Sequence, residues 1–131
     1  MIVRVRDTSR ADEGNAVVEF VLVAPLILLL ACAVLQVALA LHVRATLTSA
    51  AAEGARAAAL AGADPGAGVR RARALLDQNI AASVVRRITA QRSTVSGLPV
   101  IAVRIEATLP LVGLLGPTAL TVTGHALQEG S

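Results

Sequence analysis

From residue 20 to residue 41 the chain reads FVLVAPLILLLACAVLQVALAL, apolar throughout except for Gln36 and holding a single helix breaker, Pro25. About 20 such residues cross the hydrocarbon layer of a bilayer as one helix, so the run predicts a transmembrane helix. Pro25 falls early in that helix, where it can kink the chain and where neighbouring helices or local adjustment satisfy the carbonyl it frees. The whole chain has 131 residues, which leaves room for one small domain outside the bilayer.

Hydrophobic residues make up 55% of the chain and aromatics only 1%, so the apolar content is Ala, Val and Leu rather than the mixed core of a typical enzyme. Alanine-rich helices are the expected result. All 12 basic residues are Arg, the nine acids are scattered among them, and the formal net charge is +3. Nucleic-acid binding would need a basic stripe interleaved with stacking aromatics, and Phe20, the one aromatic, sits in the apolar run. Cys32, the one cysteine, lies in the same run, and with no second cysteine an internal disulfide is impossible. His42 and His125 have no Cys or carboxylate pair at ligand spacing, which predicts no metal. Nucleophile motifs, phosphate loops and paired acids are missing as well, so the expectation is a non-enzyme without cofactor or small-molecule substrate.

Ahead of the span, residues 1–14 (MIVRVRDTSRADEG) set Arg4, Arg6 and Arg10 against Asp7, Asp12 and Glu13 without sustained periodicity, as in a short cytoplasmic leader. Arg occurs on both sides of the span, and a plain count would put the C-terminus inside. Short flanks weigh most, however: three Arg precede the helix and only Arg44 and Arg56 closely follow it, while long domains translocate largely regardless of charge. The expected orientation is N-terminus in the cytoplasm, C-terminal domain outside. Helical pattern continues past residue 41, so residues 15–62 are expected to form one helix ending near Gly62. ADPGAG, at 63–68, supplies the stop, with Asp64, Pro65 and Gly66 as turn chemistry. A second helix is predicted from Val69 to about Ala82, with Val69, Ala72, Leu75, Leu76 and Ile80 on one face. Three β-prone runs follow at 84–95, 100–109 and 119–127, separated by SGLP (96–99) and PLVGLLGP (110–117). Residues 63–131 are therefore expected to be a small extracytoplasmic α+β domain, with the second helix against a three-stranded antiparallel sheet. A region of that size is near the limit for a self-sufficient core and is expected to lean on the long helix or a partner.

The stretch most informative about function is Glu13-Gly14-Asn15-Ala16-Val17-Val18-Glu19-Phe20. A carboxylate at the centre of a membrane helix costs about 2.5 to 3.5 kcal/mol on insertion scales, and less near the interface. Glu19 therefore either faces lipid headgroups or has a cationic partner. Gly14 suggests such a partner, because cutting after it would create an α-amino cation at Asn15. A bond beside glycine also meets no side-chain obstruction in a protease cleft and extends easily.

GNAVVEFVLVAPLILLL, then Gln36, then ALHVRATLTSAAAEGARAAALAG together resemble the N-terminal region of TadE-like proteins, minor pseudopilins of the tight-adherence (Tad/Flp) type IV pilus system. The resemblance covers about residues 13–62. It implies cleavage by a prepilin peptidase, an intramembrane aspartyl protease, with Gly14 before the scissile bond and Asn15 as the new N-terminus. It further implies that Glu19 is the assembly glutamate and Phe20 its aromatic neighbour. The implied partners are the peptidase, other pilins or pseudopilins and the assembly platform, and the implied location is the inner membrane.

Downstream, Ala50, Gly54, Ala58 and Gly62 recur every four residues, a narrow strip that lets another helix approach closely. A sister subunit, the protein's own sheet, or no specific partner all fit that pattern. Glu53 and Arg56, three apart, suit a solvent-side ion pair. Gln36 suits a hydrogen bond between membrane helices or an interfacial position. One other reading remains open: a signal-peptide-bearing secreted or simply anchored protein, since Ala38-Leu39-Ala40 fits a small-x-small cleavage pattern. Against it, the apolar run exceeds the 7 to 15 residues usual for a signal-peptide core.

Overall fold

The computed structural model describes residues 9–110 and 117–128. Its elements are α1 (Ser9–Leu60), α2 (Pro65–Asp77), a 3-10 turn (Ile80–Ser83), β1 (Val85–Val95), β2 (Leu98–Pro110) and β3 (Pro117–Leu127). This is the expected α+β plan of long apolar helix, second helix and three-stranded antiparallel sheet. The chain divides into two compact units, residues 1–37 and 38–131.

In the first unit, α1 starts at Ser9 with Asp12 in its first turn, where a negative charge complements the exposed N–H groups of a helix start. Residues 9–14 of the expected leader are thus helical, and residues 1–8 lie outside the described residues. Val17, Phe20, Leu22, Leu26, Leu29 and Leu35 are exposed, and they point around the whole helix circumference rather than along one stripe. Pro25 lies inside α1, and Cys32 is exposed on it. Among the described residues this is the one helix long and apolar enough to cross a membrane.

The second unit is built on a buried face of α1 carrying Val43, Leu47, Ala50, Ala51, Ala55 and Ala58, at the three- and four-residue steps of one helix side. Beyond Leu60 the chain reverses through Gly62 and Ala63, both at positive φ (73° and 62°). ADPGAG then serves as a helix start as well as a stop, so α2 begins at Pro65 rather than Val69. The Asp64 carboxylate accepts the Gly66 N–H at 2.9 Å, and Pro65 occupies the first turn, where its missing N–H costs nothing. α2 also ends earlier than expected, at Asp77. Asn79 Nδ2 donates to the Leu75 carbonyl at 2.9 Å while its backbone N–H turns to Leu76, which closes the helix. Ala72 and Leu76 are buried on α2 and Val69 and Leu75 are half-buried; the Ile80 side chain lies outside the described residues.

The sheet order is β1-β2-β3. β1 and β2 join through only two residues, Ser96 and Gly97, both at positive φ (51° and 79°), the pattern that matches the strands' natural twist. Leu98 and Pro99, expected in the connection, are the first residues of β2. The expected loop at 110–117 falls mostly outside the described residues, because residues 111–116 are not among them. Antiparallel register aligns Ile88, Ile105 and Val122 in one row and Ala90, Val103 and Gly124 in the next. These rows face the helices and form one core with Val43, Leu47, Ala51, Ala55, Ala72 and Leu76. Alternate positions carry Arg87, Glu106 and Thr121, then Thr89, Arg104 and Thr123, on a polar outer face.

The two outer strands differ. The β1 register shifts between Val85 and Arg87, and the strand carries Arg86, Arg87 and Arg92. β3, reading PTALTVTGHAL, pairs with β2 in unbroken register and contains no Asp, Glu, Lys or Arg.

Candidate functional site at the start of the apolar helix

Gly14, Asn15, Glu19 and Phe20 all lie in the first turns of α1 and all are exposed. Asn15 and Glu19 are four residues apart and so share one side of the helix, about 6 Å apart along its axis. A β-carbon built at Gly14 would have no heavy atom within 4 Å, so no tertiary contact requires glycine there. Glycine and asparagine are both weak helix formers, which makes the Gly14–Asn15 bond a soft point in an otherwise strong helix. Glu19 makes no ion pair with a described residue, and Phe20 is 72% exposed.

The four-residue strip is placed in the second unit. Ala50, Gly54 and Ala58 are buried, whereas Gly62 lies past the end of α1 and is exposed. A β-carbon at Gly54 would stand 2.7 Å from the Gly68 carbonyl oxygen and 3.1 Å from the Ala72 Cβ. At Gly68 it would stand 3.0 Å from the Ala58 Cβ and 3.1 Å from a Val103 methyl. α1 and α2 therefore cross with their backbones nearly touching, and the occupant of the strip is the chain's own second helix. Glu53 and Arg56 pair at 3.3 Å on the exposed side.

A family model described as TadE-like protein matches residues 14–56. The similarity to that family is confined to this stretch. The match begins at Gly14 and takes in Asn15, Glu19, Phe20, the apolar run, Ala50 and Gly54. No curated protein and no solved structure matches the chain. The matched stretch contains the apolar run of α1, which is long and apolar enough to cross a membrane. Among the described residues no group of three or more His, Cys, Asp or Glu side chains is gathered.

Two residues that shape the second unit were not singled out from the sequence: Gly68 in α2 and Gly124 in β3. Gly124 lies against the Ala51 backbone of α1, so close that a β-carbon there would overlap it. The signal was present in each case, since an isolated glycine inside a helical or strand pattern marks a close backbone approach.

Proposed function

We propose that the chain is a minor pseudopilin of a tight-adherence pilus, made as a precursor and cut between Gly14 and Asn15 by a prepilin peptidase. The observation that carries this reading is the TadE-like match, which starts at Gly14 and runs into an apolar helix with a carboxylate, Glu19, at the threshold of its apolar run. In the precursor the bond to be cut is helical, and a protease takes its substrate extended. The weak helix formers Gly14 and Asn15 lower the cost of that local opening by about 1.5 kcal/mol relative to an alanine pair. Cleavage leaves an α-amino cation on Asn15. Glu19 of one subunit then accepts the amino terminus of a neighbour, which offsets the cost of holding either charge near lipid. Phe20 adds apolar contact beside that pair. The protein sits in the inner membrane with its leader in the cytoplasm and its α+β unit outside. There it contacts other pilins and the assembly platform.

The deciding measurement is the intact mass and N-terminal sequence of protein purified from membranes of cells carrying its own assembly genes. A chain beginning at Asn15 is expected. One beginning at Leu41 in the soluble fraction would replace the proposal with a secreted protein, and an uncut chain would reduce it to a plain anchor. Gly14→Ala is expected to shift most of the population to the precursor mass. Glu19→Ala is expected to leave the mature mass unchanged while lowering surface piliation, counted by electron microscopy; normal pilus numbers would remove the charge-pairing role.

A further inference from the structure

The open side of β3 offers a second kind of contact. The Gln128 N–H donates to the Pro99 carbonyl at 3.0 Å, and the register runs on without a slip from Leu127 opposite Val100 to Pro117 opposite Pro110. In an antiparallel pair, backbone groups alternate between facing the partner and facing away. Even-numbered residues of β3 therefore bond β2. Ala119, Thr121, Thr123, His125 and Leu127 turn their N–H and C=O groups to the outside. Among the described residues no strand pairs with that side.

Strands left in this condition are usually guarded by charge, proline in the interior or a bulge. β1 has a register shift and three arginines, whereas the interior of β3 has none of these devices. Alongside the C-terminal half of β3 runs a groove of about 550 Å³, with Arg56, Ala59 and Leu60 on its α1 wall and His125, Ala126 and Leu127 on its strand wall. Leu60 is 79% exposed and Leu127 58% exposed. The row of backbone groups fits an extended chain, the leucines fit an apolar side chain, and the Arg56 guanidinium fits a carboxylate.

We propose that this groove receives an extended, acid-bearing segment of another protein, which adds to β3 as a fourth strand, sets an apolar side chain against Leu60 and Ala126, and offers a carboxylate to Arg56. Strand addition draws its affinity from main-chain hydrogen bonds and its specificity from such side-chain seats. Arg56 already pairs with Glu53, but the pair is exposed and a guanidinium has five donors, so a second carboxylate can share it. A second copy of this chain fits poorly: its β1 would bring Arg86, Arg87 and Arg92 towards Arg56, and its β3 contains no acid. The inference stands on the second unit alone and does not depend on the pilus reading.

The test uses the full chain expressed in its native cells, with a photo-crosslinking amino acid at Thr121, or at Gln91 on β1 as the control. The expected result is an adduct from position 121 and none from 91, with the crosslinked peptide belonging to a different protein and containing Asp or Glu. Thr123→Pro removes one outward N–H and leaves the β2 ladder intact; it is expected to lower the adduct yield about fivefold, as one lost hydrogen bond does. Arg56→Gln is expected to lower it by a similar factor with an unchanged circular dichroism spectrum, and it decides alone if Thr123→Pro disturbs the fold. An adduct to a second copy, an adduct peptide without an acid, a yield indifferent to Arg56→Gln, or no adduct from position 121 would each overturn the proposal.

Discussion

Ala63 carries more of the unit's geometry than its size suggests. Its φ of 62° is a left-handed conformation, which costs a residue with a β-carbon about 1 kcal/mol. Arg92 holds the strained turn in place, donating from Nε and Nη2 to the Ala63 carbonyl at 3.2 and 3.0 Å. Ala63→Gly is therefore expected to raise stability by a few tenths of a kcal/mol, the strain relief being partly offset by the freer unfolded chain. Arg92→Ala should lower it by about 1 kcal/mol. Both shifts are readable from thermal denaturation of the detergent-solubilised chain followed by circular dichroism. Gly124→Ala should act much more strongly, costing about 3 kcal/mol or more, because the new methyl meets the α1 backbone rather than a side chain that can move aside. Such contacts were only half legible beforehand. Spacing marked Ala50, Gly54 and Ala58 as a place of close approach, yet the same spacing serves a foreign helix as well as the chain's own α2. Gly62, which continues the spacing, lies beyond the helix end, and periodicity alone does not reveal where a helix stops.

At the level of elements, the strands were the easiest to read. Ile101, Val103 and Ile105 alternate with Ala102, Arg104 and Glu106, and a period of two has one structural meaning when one face is buried and the other is polar. α2 was harder, because Asp-Pro-Gly is the chemistry of a turn and also of a helix start. The Asp64 cap on Gly66 decides for the second. Asp64→Ala is expected to destabilise the unit by about 1 kcal/mol and to fray the first turn of α2, visible as faster amide exchange at residues 66–68. Alanine content hid the role of α1's later turns: Ala51, Ala55 and Ala58 are fully buried, but in a sequence so rich in alanine they do not stand out from exposed neighbours such as Ala45.

Taken as a whole molecule, the chain presents two surfaces of opposite character. The first unit exposes apolar side chains around its full circumference, a surface suited to cover by lipid or detergent. Full-length protein is expected to stay with membranes through high-salt and alkaline washes and to need detergent for release, as fractionation followed by immunoblotting would show. The second unit is not complete at the point where the sequence changes character near residue 63. Its core takes Val43, Leu47, Ala51 and Ala55 from α1, so a fragment of residues 63–131 would bare the inner face of the sheet at Val103 and Ile105. That fragment is expected to be unfolded or aggregated by circular dichroism and gel filtration, while residues 38–131 should give a cooperative melt. An opposite ranking would mean that α2 and the sheet suffice.

The unequal borders of the sheet bear on what this protein cannot become. With one border shielded by Arg86, Arg87 and Arg92 and the other unpaired among the described residues, a molecule that takes a strand on β3 has no equivalent edge to offer onward. Sheet-to-sheet stacking then halts at a one-to-one pair. At high local concentration, such an asymmetry works against open-ended growth from the β3 edge.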